Sequence, residues 1–154
     1  MPAVYPFNAV QFNKGKGDVS ALVAPPYDVL DAASKGALLE KDGRNIVAID
    51  LPHVPAKELG PESAYRGAAD AYRSMLESGD LTRRQTPAIF AYRQSYTFEG
   101  RSLQRCGVAC TVETVPLGPD TDGSRGGGIL PHEQTFSGPK EDRMALMKAT
   151  QAQI

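Results

Sequence analysis

The sequence predicts an α/β fold, with an α+β arrangement as the alternative, in which a mixed sheet with a β-hairpin is covered by two longer helices. Residues 62–78 repeat apolar residues at helical spacing. Residues 88–113 contain two strand-like runs on either side of a Glu99–Gly100 turn. Pro139 is placed to open a second helix. A chain of 154 residues has the length of one domain, so we expect residues 1–154 to form a single domain.

Composition limits the classes of function. Lys and Arg total 17 against 18 Asp and Glu, and the net charge of −1 disfavours nucleic acid as a partner. The N-terminus lacks a basic segment before an apolar run, and no window approaches the roughly 18 apolar residues of a membrane span. Cys106 and Cys110 suit reduced thiols, buried on one strand. We therefore expect a cytoplasmic protein with no membrane partner.

The first half of the chain predicts two helices and a strand. Asp31 is placed to cap a helix over residues 32–41. The apolar run at residues 45–52 favours a buried strand ending at a proline, and His53 after it is typical of a solvated loop residue. The helix at 62–78 ends at Gly79, and its inward stripe comprises Tyr65, Ala68, Ala69, Tyr72 and Leu76.

After the hairpin, the composition of residues 114–128 predicts a flexible loop, either a flap over a site or a surface insertion. Ile129 follows as a short strand. The last helix is expected to run from Pro139 towards Ile154 without a cap, which suggests a truncated protein.

The stretch from Gly126 to Thr150 is the densest in usable chemistry. His132 is the candidate general acid or base, and Glu133 is placed to orient a hydroxyl or hold a divalent cation. The start of the following helix favours an anion, because its free N–H groups and dipole are positive there. The residues expected to bind that anion are Thr135, Ser137, Gly138, Lys140 and Arg143.

Two further groups have alternative interpretations. Pro25 and Pro26 restrict the loop that carries Tyr27 and Asp28. These two side chains either contact a ligand or belong to an ordinary turn, with Tyr27 packed on the core. Asp142 and Arg143 are either part of the site or a structural pair. If a site exists, we expect it where this loop meets the His132 loop.

Four motifs resemble the DUF1015 family of bacterial and archaeal proteins. They are VAPPYDVL at 23–30, NIVAIDLP at 45–52, AYRQSYTFEG at 91–100 and LPHEQTFSGPKEDRMALMKAT at 130–150. The last is the most specific. The resemblance implies that the chain corresponds to the N-terminal part of longer proteins, and it carries over no reaction. A strand, polar loop and basic-capped helix are also similar to the site of the partition-protein and sulfiredoxin superfamily.

Two functions follow as hypotheses. The first is an enzyme that acts on a small anionic metabolite, phosphorylated or amino-acid-derived, by phosphoryl transfer. The second is a non-catalytic module that senses such a metabolite with the same residues. The sequence predicts no set of metal ligands, and the one candidate cofactor is a divalent cation. It does not predict whether the protein forms an oligomer.

Overall fold

Helices and small antiparallel sheets together make an α+β fold in the computed structural model of the protein, which describes residues 2–119, 127–132 and 136–154. This confirms the predicted fold class. Short 3₁₀ turns occupy Lys14–Lys16, Val19–Ala21 and Tyr27–Val29. The helices are α1 (Ala32–Lys41), α2 (Val47–Asp50), α3 (Glu62–Glu77) and α4 (Ser137–Thr150). The strands are β1 (Val4–Tyr5), β2 (Val10–Phe12), β3 (Leu81–Arg83), β4 (Phe90–Phe98), β5 (Arg101–Ala109) and β6 (Thr111–Val112).

The chain divides into two compact units. The first unit contains residues 1–10 and 83–134, and the second contains residues 11–82 and 135–154. The described strands pair two by two, as β1 with β6, β2 with β3, and β4 with β5. Among the described residues, no helix combines the length and the apolarity needed to cross a bilayer.

The hairpin of the first unit forms as predicted. Glu99 and Gly100 have φ values of +48° and +73°, the left-handed pair that a two-residue turn between twisted strands requires. The register runs from Phe90 opposite Ala109 to Phe98 opposite Arg101. The prediction of buried cysteines is wrong for Cys106, which is exposed because almost every residue of this two-stranded ribbon is open to solvent.

The described ends of the 114–128 loop are joined to each other. Leu117 and Ile129 form an isolated parallel bridge, so Ile129 belongs to a single bridge and not to a strand of a larger sheet. The Gly118 amide donates to the Ile129 carbonyl at 2.8 Å, and the Gly127 amide donates to the Pro116 carbonyl at 2.8 Å. Residues 120–126, on which the predicted flap depends, lie outside the described residues.

In the second unit, α1 and α3 match their sequence signals. The Asp31 carboxylate accepts the Ser34 amide at 2.8 Å and so caps α1. Gly79 has a φ of +73° just after the end of α3. The buried face of α3 consists of Tyr65, Ala68, Ala69, Tyr72 and Met75, with Met75 taking the place predicted for Leu76.

The predicted strand at 45–52 is wrong, because this segment forms the short helix α2. Asn45 is fully buried, and its side-chain oxygen accepts the Val47 amide at 3.0 Å. Its side-chain nitrogen donates to the carbonyls of Ala21 and Val23 at 2.8 and 2.9 Å. Asn45 thereby holds the preceding loop and starts the helical turn. This segment is therefore not part of the predicted mixed sheet, and the described strands pair two by two. Helix α3 packs instead against both α2 and α4.

Helix α4 differs from its prediction at both ends. It begins at Ser137, two residues before Pro139, which occupies the first turn, where its missing N–H costs nothing. It ends at Thr150, and Gln151 adopts the left-handed conformation with its amide bonded to the Met147 carbonyl at 2.9 Å. The uncapped helix expected to reach Ile154 is therefore wrong.

Gly138 marks a close backbone approach that a substitution can test. A Cβ at Gly138 would lie 2.5 Å from the Lys57 carbonyl oxygen, whereas a Cβ at Gly67, in the exposed middle of α3, would meet nothing within 4 Å. Gly138→Ala should lower the free energy of unfolding by about 1–3 kcal/mol through overpacking. Gly67→Ala should raise it by about 0.5–1 kcal/mol, as alanine favours helix. Urea denaturation measures both, and equal effects would contradict this contact.

Candidate functional site

Asp142 is the centre of a polar network in the second unit. Helix α4 turns this carboxylate inward, and its side chain is 0% exposed. One oxygen accepts hydrogen bonds from the Tyr65 hydroxyl at 2.7 Å and from His53 Nε2 at 2.8 Å. The other oxygen accepts Nε and Nη2 of Arg143 at 3.0 and 2.7 Å. Four donors thus compensate the burial of one carboxylate.

Arg143 joins three separate stretches of the sequence. Its Nη1 donates to the Asp50 carbonyl at 2.8 Å and to the Asp50 carboxylate at 3.0 Å. The guanidinium carbon lies 3.9 Å from the centre of the Tyr27 ring, a cation–π contact. Tyr27, Asp50 and Asp142 come from segments 23–30, 45–52 and 130–150. Through Arg143 the proline-held loop thus contacts helix α4, whereas His132, whose loop was expected to meet it, belongs to the first unit.

His53 is held in one orientation by its neighbours. Its ring meets the Tyr65 ring edge to face, with centroids 5.6 Å apart. The Tyr65 hydroxyl accepts the Gly60 amide at 2.7 Å, and a Cβ at Gly60 would overlap the imidazole ring. The backbone amide of Gly60 therefore holds the Tyr65 hydroxyl, and the lack of a side chain at Gly60 leaves room for the His53 ring.

The two ring nitrogens of His53 have different surroundings. Nε2 faces Asp142, which can only accept while it is ionised, so we assign the proton to Nε2. Nδ1 has no hydrogen-bond partner among the described residues. Every buried polar side-chain atom of those residues has a partner, so Nδ1 reaches solvent although the side chain is only 11% exposed. In the tautomer that carries its proton on Nε2, Nδ1 holds the ring's lone pair.

Burial and neighbouring groups shift the pKa values of the residues in this network. Burial alone would raise the pKa of Asp142, but hydrogen bonds from Tyr65, His53 and Arg143 outweigh it and hold that pKa below its ordinary value. Burial raises the pKa of Asp50 despite the nearby Arg143. Burial, followed by the hydrogen bond to Asp142, raises the pKa of Tyr65. At neutral pH the centre of the network is thus an ionised Asp142.

This geometry supports one chemical role directly and weakens another. A histidine fixed by a carboxylate through one nitrogen can take a proton at the other. Arg143 is different, because three of its nitrogens already bind Asp142 and Asp50. An anion would have to compete with two carboxylates for this guanidinium. The structural-pair interpretation of Asp142 and Arg143 is therefore favoured.

The other predicted binding residues lie in three places. Asp28 is exposed beside Tyr27. Ser137, Gly138 and Lys140 occupy the first turn of α4, where Lys140 is exposed and makes no ion pair with the described residues. His132 is exposed and belongs to the first unit.

Glu133 and Thr135 lie outside the described residues. Within residues 2–119, 127–132 and 136–154, no three His, Cys, Asp or Glu side chains gather where they could hold a metal ion.

Sequence reasoning missed His53, Asp50 and the hydroxyl of Tyr65. The prediction of His53 as a solvated loop residue is wrong, because its ring is mostly buried against Tyr65 and Asp142. Its position one residue after Pro52 and two before Pro55 was a usable signal, since two prolines restrict the loop that carries it. Tyr65 was assigned to the core, which is correct for its ring and incomplete for its hydroxyl.

Replacing Asp142 tests the network. Asp142→Asn should lower the free energy of unfolding by about 3 kcal/mol at pH 7, because Arg143 and His53 lose an ionic acceptor. The lowered pKa of Asp142 means that its stabilisation is present above about pH 4 and is lost as the pH falls through the lowered value. The difference from wild type should therefore narrow below pH 4 in urea titrations. A difference that stays constant down to pH 2 would contradict an ionised Asp142.

Asp70→Asn is the matched control for that measurement. Asp70 is exposed on α3 and, among the described residues, pairs with Arg73 alone, so its loss should change stability little.

Comparison with known proteins gives a family and nothing more. The family model described as a protein of unknown function (DUF1015) matches residues 4–154. No curated protein matches the chain, and no solved structure matches it. The match covers both units and all four motifs, and the chain belongs to the DUF1015 family.

Proposed function

We propose that this protein acts on a small anionic metabolite, phosphorylated or amino-acid-derived, and that His53 accepts a proton from it. The observation that carries the proposal is the unequal environment of the imidazole. Nε2 is hydrogen-bonded to the buried Asp142 at 2.8 Å, and Nδ1 has no hydrogen-bond partner among the described residues. Asp142 would fix the tautomer and stabilise the imidazolium that forms.

Phosphoryl transfer is the reaction that we favour. In such a step, His53 takes the proton of the metabolite's hydroxyl while that hydroxyl oxygen bonds to the phosphorus of a phosphoryl donor such as a nucleotide. The bond from this phosphorus to the donor's leaving oxygen breaks, and the leaving oxygen keeps the electron pair. Lys140 and the first turn of α4 are proposed to contact the anion. His132 and Glu133 stay candidates from the sequence, with a divalent cation at Glu133 or Asp28. The protein would work in the cytoplasm, where Cys106 and Cys110 stay reduced.

A non-catalytic metabolite sensor is the second candidate. One observation favours it, namely that the Asp142 network is complete without any ligand, as a structural clamp between the loop and α4 would be. In this case the same surface binds the metabolite and no proton moves.

A thermal-shift screen with phosphorylated metabolites, amino acids and nucleotides, each with and without Mg²⁺, tests the proposal. A ligand at 100 times its Kd should stabilise the protein by about 2.7 kcal/mol. With a ligand identified, His53→Gln should abolish turnover and leave the affinity within about threefold, because Gln retains a donor for Asp142. Binding without turnover in wild type would favour the sensor. If no compound raises the melting temperature, the proposed function is wrong.

Lys140 is expected to contact the anion. Lys140→Ala should weaken ligand binding by more than about tenfold, because it removes a charge-assisted contact worth roughly 1.5–3 kcal/mol. Lys148→Ala, which removes an exposed lysine from the last turn of the same helix, is the matched control and should bind as wild type does. Calorimetric titration of both variants decides, and unchanged affinity in a folded Lys140→Ala protein would remove Lys140 from the site.

A further inference from the structure

Lys35 lies beside the His53 loop with most of its hydrogen-bonding capacity unused. It projects from α1, is half-buried, and donates from Nζ to the Pro52 carbonyl at 3.1 Å. An ammonium group has three donors, so two remain. Since Pro52 immediately precedes His53, covalent geometry places Nζ within about 6 Å of the His53 Cα.

The charge of Lys35 has no counter-charge among the residues that the structure describes. Among the described residues, no carboxylate lies within ion-pair distance of its Nζ. Arg143, the other cation near His53, is bound by Asp142 and Asp50. Burial lowers the pKa of Lys35, because a partly buried ammonium loses hydration. A half-buried ammonium that has only a neutral carbonyl as partner would gain from a nearby anion.

We propose that Lys35 binds the phosphate group of the metabolite on which His53 acts. The inference rests on the proposed function, and it supplies the counter-charge that Arg143 cannot provide. A lysine is a common phosphate ligand, acting as a point charge that needs no fixed fork geometry. The Lys35 ammonium and His53 Nδ1 would then contact one small molecule, with the phosphate on the first and the reacting hydroxyl on the second.

The experiment measures how fast each lysine of the wild-type protein reacts with acetic anhydride, using mass spectrometry. Inorganic phosphate and pyrophosphate are the probes, with sodium chloride at matched ionic strength as the reference. Bound phosphate should slow acetylation of Lys35 by about fivefold or more, because it favours the unreactive ammonium and covers it. Lys148, exposed on α4, is the control in the same molecule and should react at the same rate throughout. Equal slowing of both lysines would overturn the proposal.

Variants separate the charge of Lys35 from its packing. Lys35→Met keeps the aliphatic stem and should weaken pyrophosphate binding by about tenfold in calorimetric titration, whereas Lys35→Arg should stay within about threefold of wild type. If Lys35→Met binds pyrophosphate as wild type does, or if wild type binds neither probe, the Lys35 assignment fails. In both cases the metabolite screen and the turnover assay decide separately on the proposed function, which fails if no compound stabilises the protein or if a bound compound is not turned over.

Discussion

The burial of the Asp142 carboxylate is the constraint on which the rest of the second unit depends. A fully buried carboxylate is tolerated only where donors replace its lost water. The donors come from α3, from the loop that carries His53, and from the adjacent Arg143, which in turn holds Asp50 and Tyr27. Because both carboxylate oxygens of Asp142 need hydrogen-bond donors, α4 packs against segments that are far away in the sequence.

The same constraint divides the roles among the charged residues. Arg143 is the cation that the sequence makes most conspicuous, but its guanidinium is committed to two carboxylates. Lys140 and Lys35 make no ion pair within the part of the chain that the structure describes, which is why the proposals assign them to the anion. The proposed role of His53 depends on its bond to Asp142. Because Nε2 is bonded to that carboxylate, Nδ1 is the nitrogen that would accept a proton. Structural and functional uses of the network are therefore compatible.

Local conformational signals in the sequence predicted the fold well, and tertiary contacts decided the rest. Asp31 caps α1 and Glu99–Gly100 turns the hairpin because each acts through its own backbone or its nearest neighbours. Residues 45–52 were misassigned because a short apolar run suits a buried strand and a buried helix equally. In the structure, the Asn45 side chain just before α2 donates hydrogen bonds to the carbonyls of Ala21 and Val23. The apolar pattern of the sequence does not reveal these bonds.

The candidate site was predictable in part for the same reason. Tyr27 stood in a loop held by two prolines and Arg143 in a segment rich in polar residues, whereas His53 and Tyr65 find their carboxylate 89 and 77 residues further along the chain. Tyr65 shows what was missing from the prediction. Its ring satisfies the apolar stripe of α3, but a buried tyrosine hydroxyl needs a partner as well. A tyrosine in such a stripe, together with a loop histidine restrained by prolines, is a reason to search the remaining sequence for an acidic residue on a helix that can reach both.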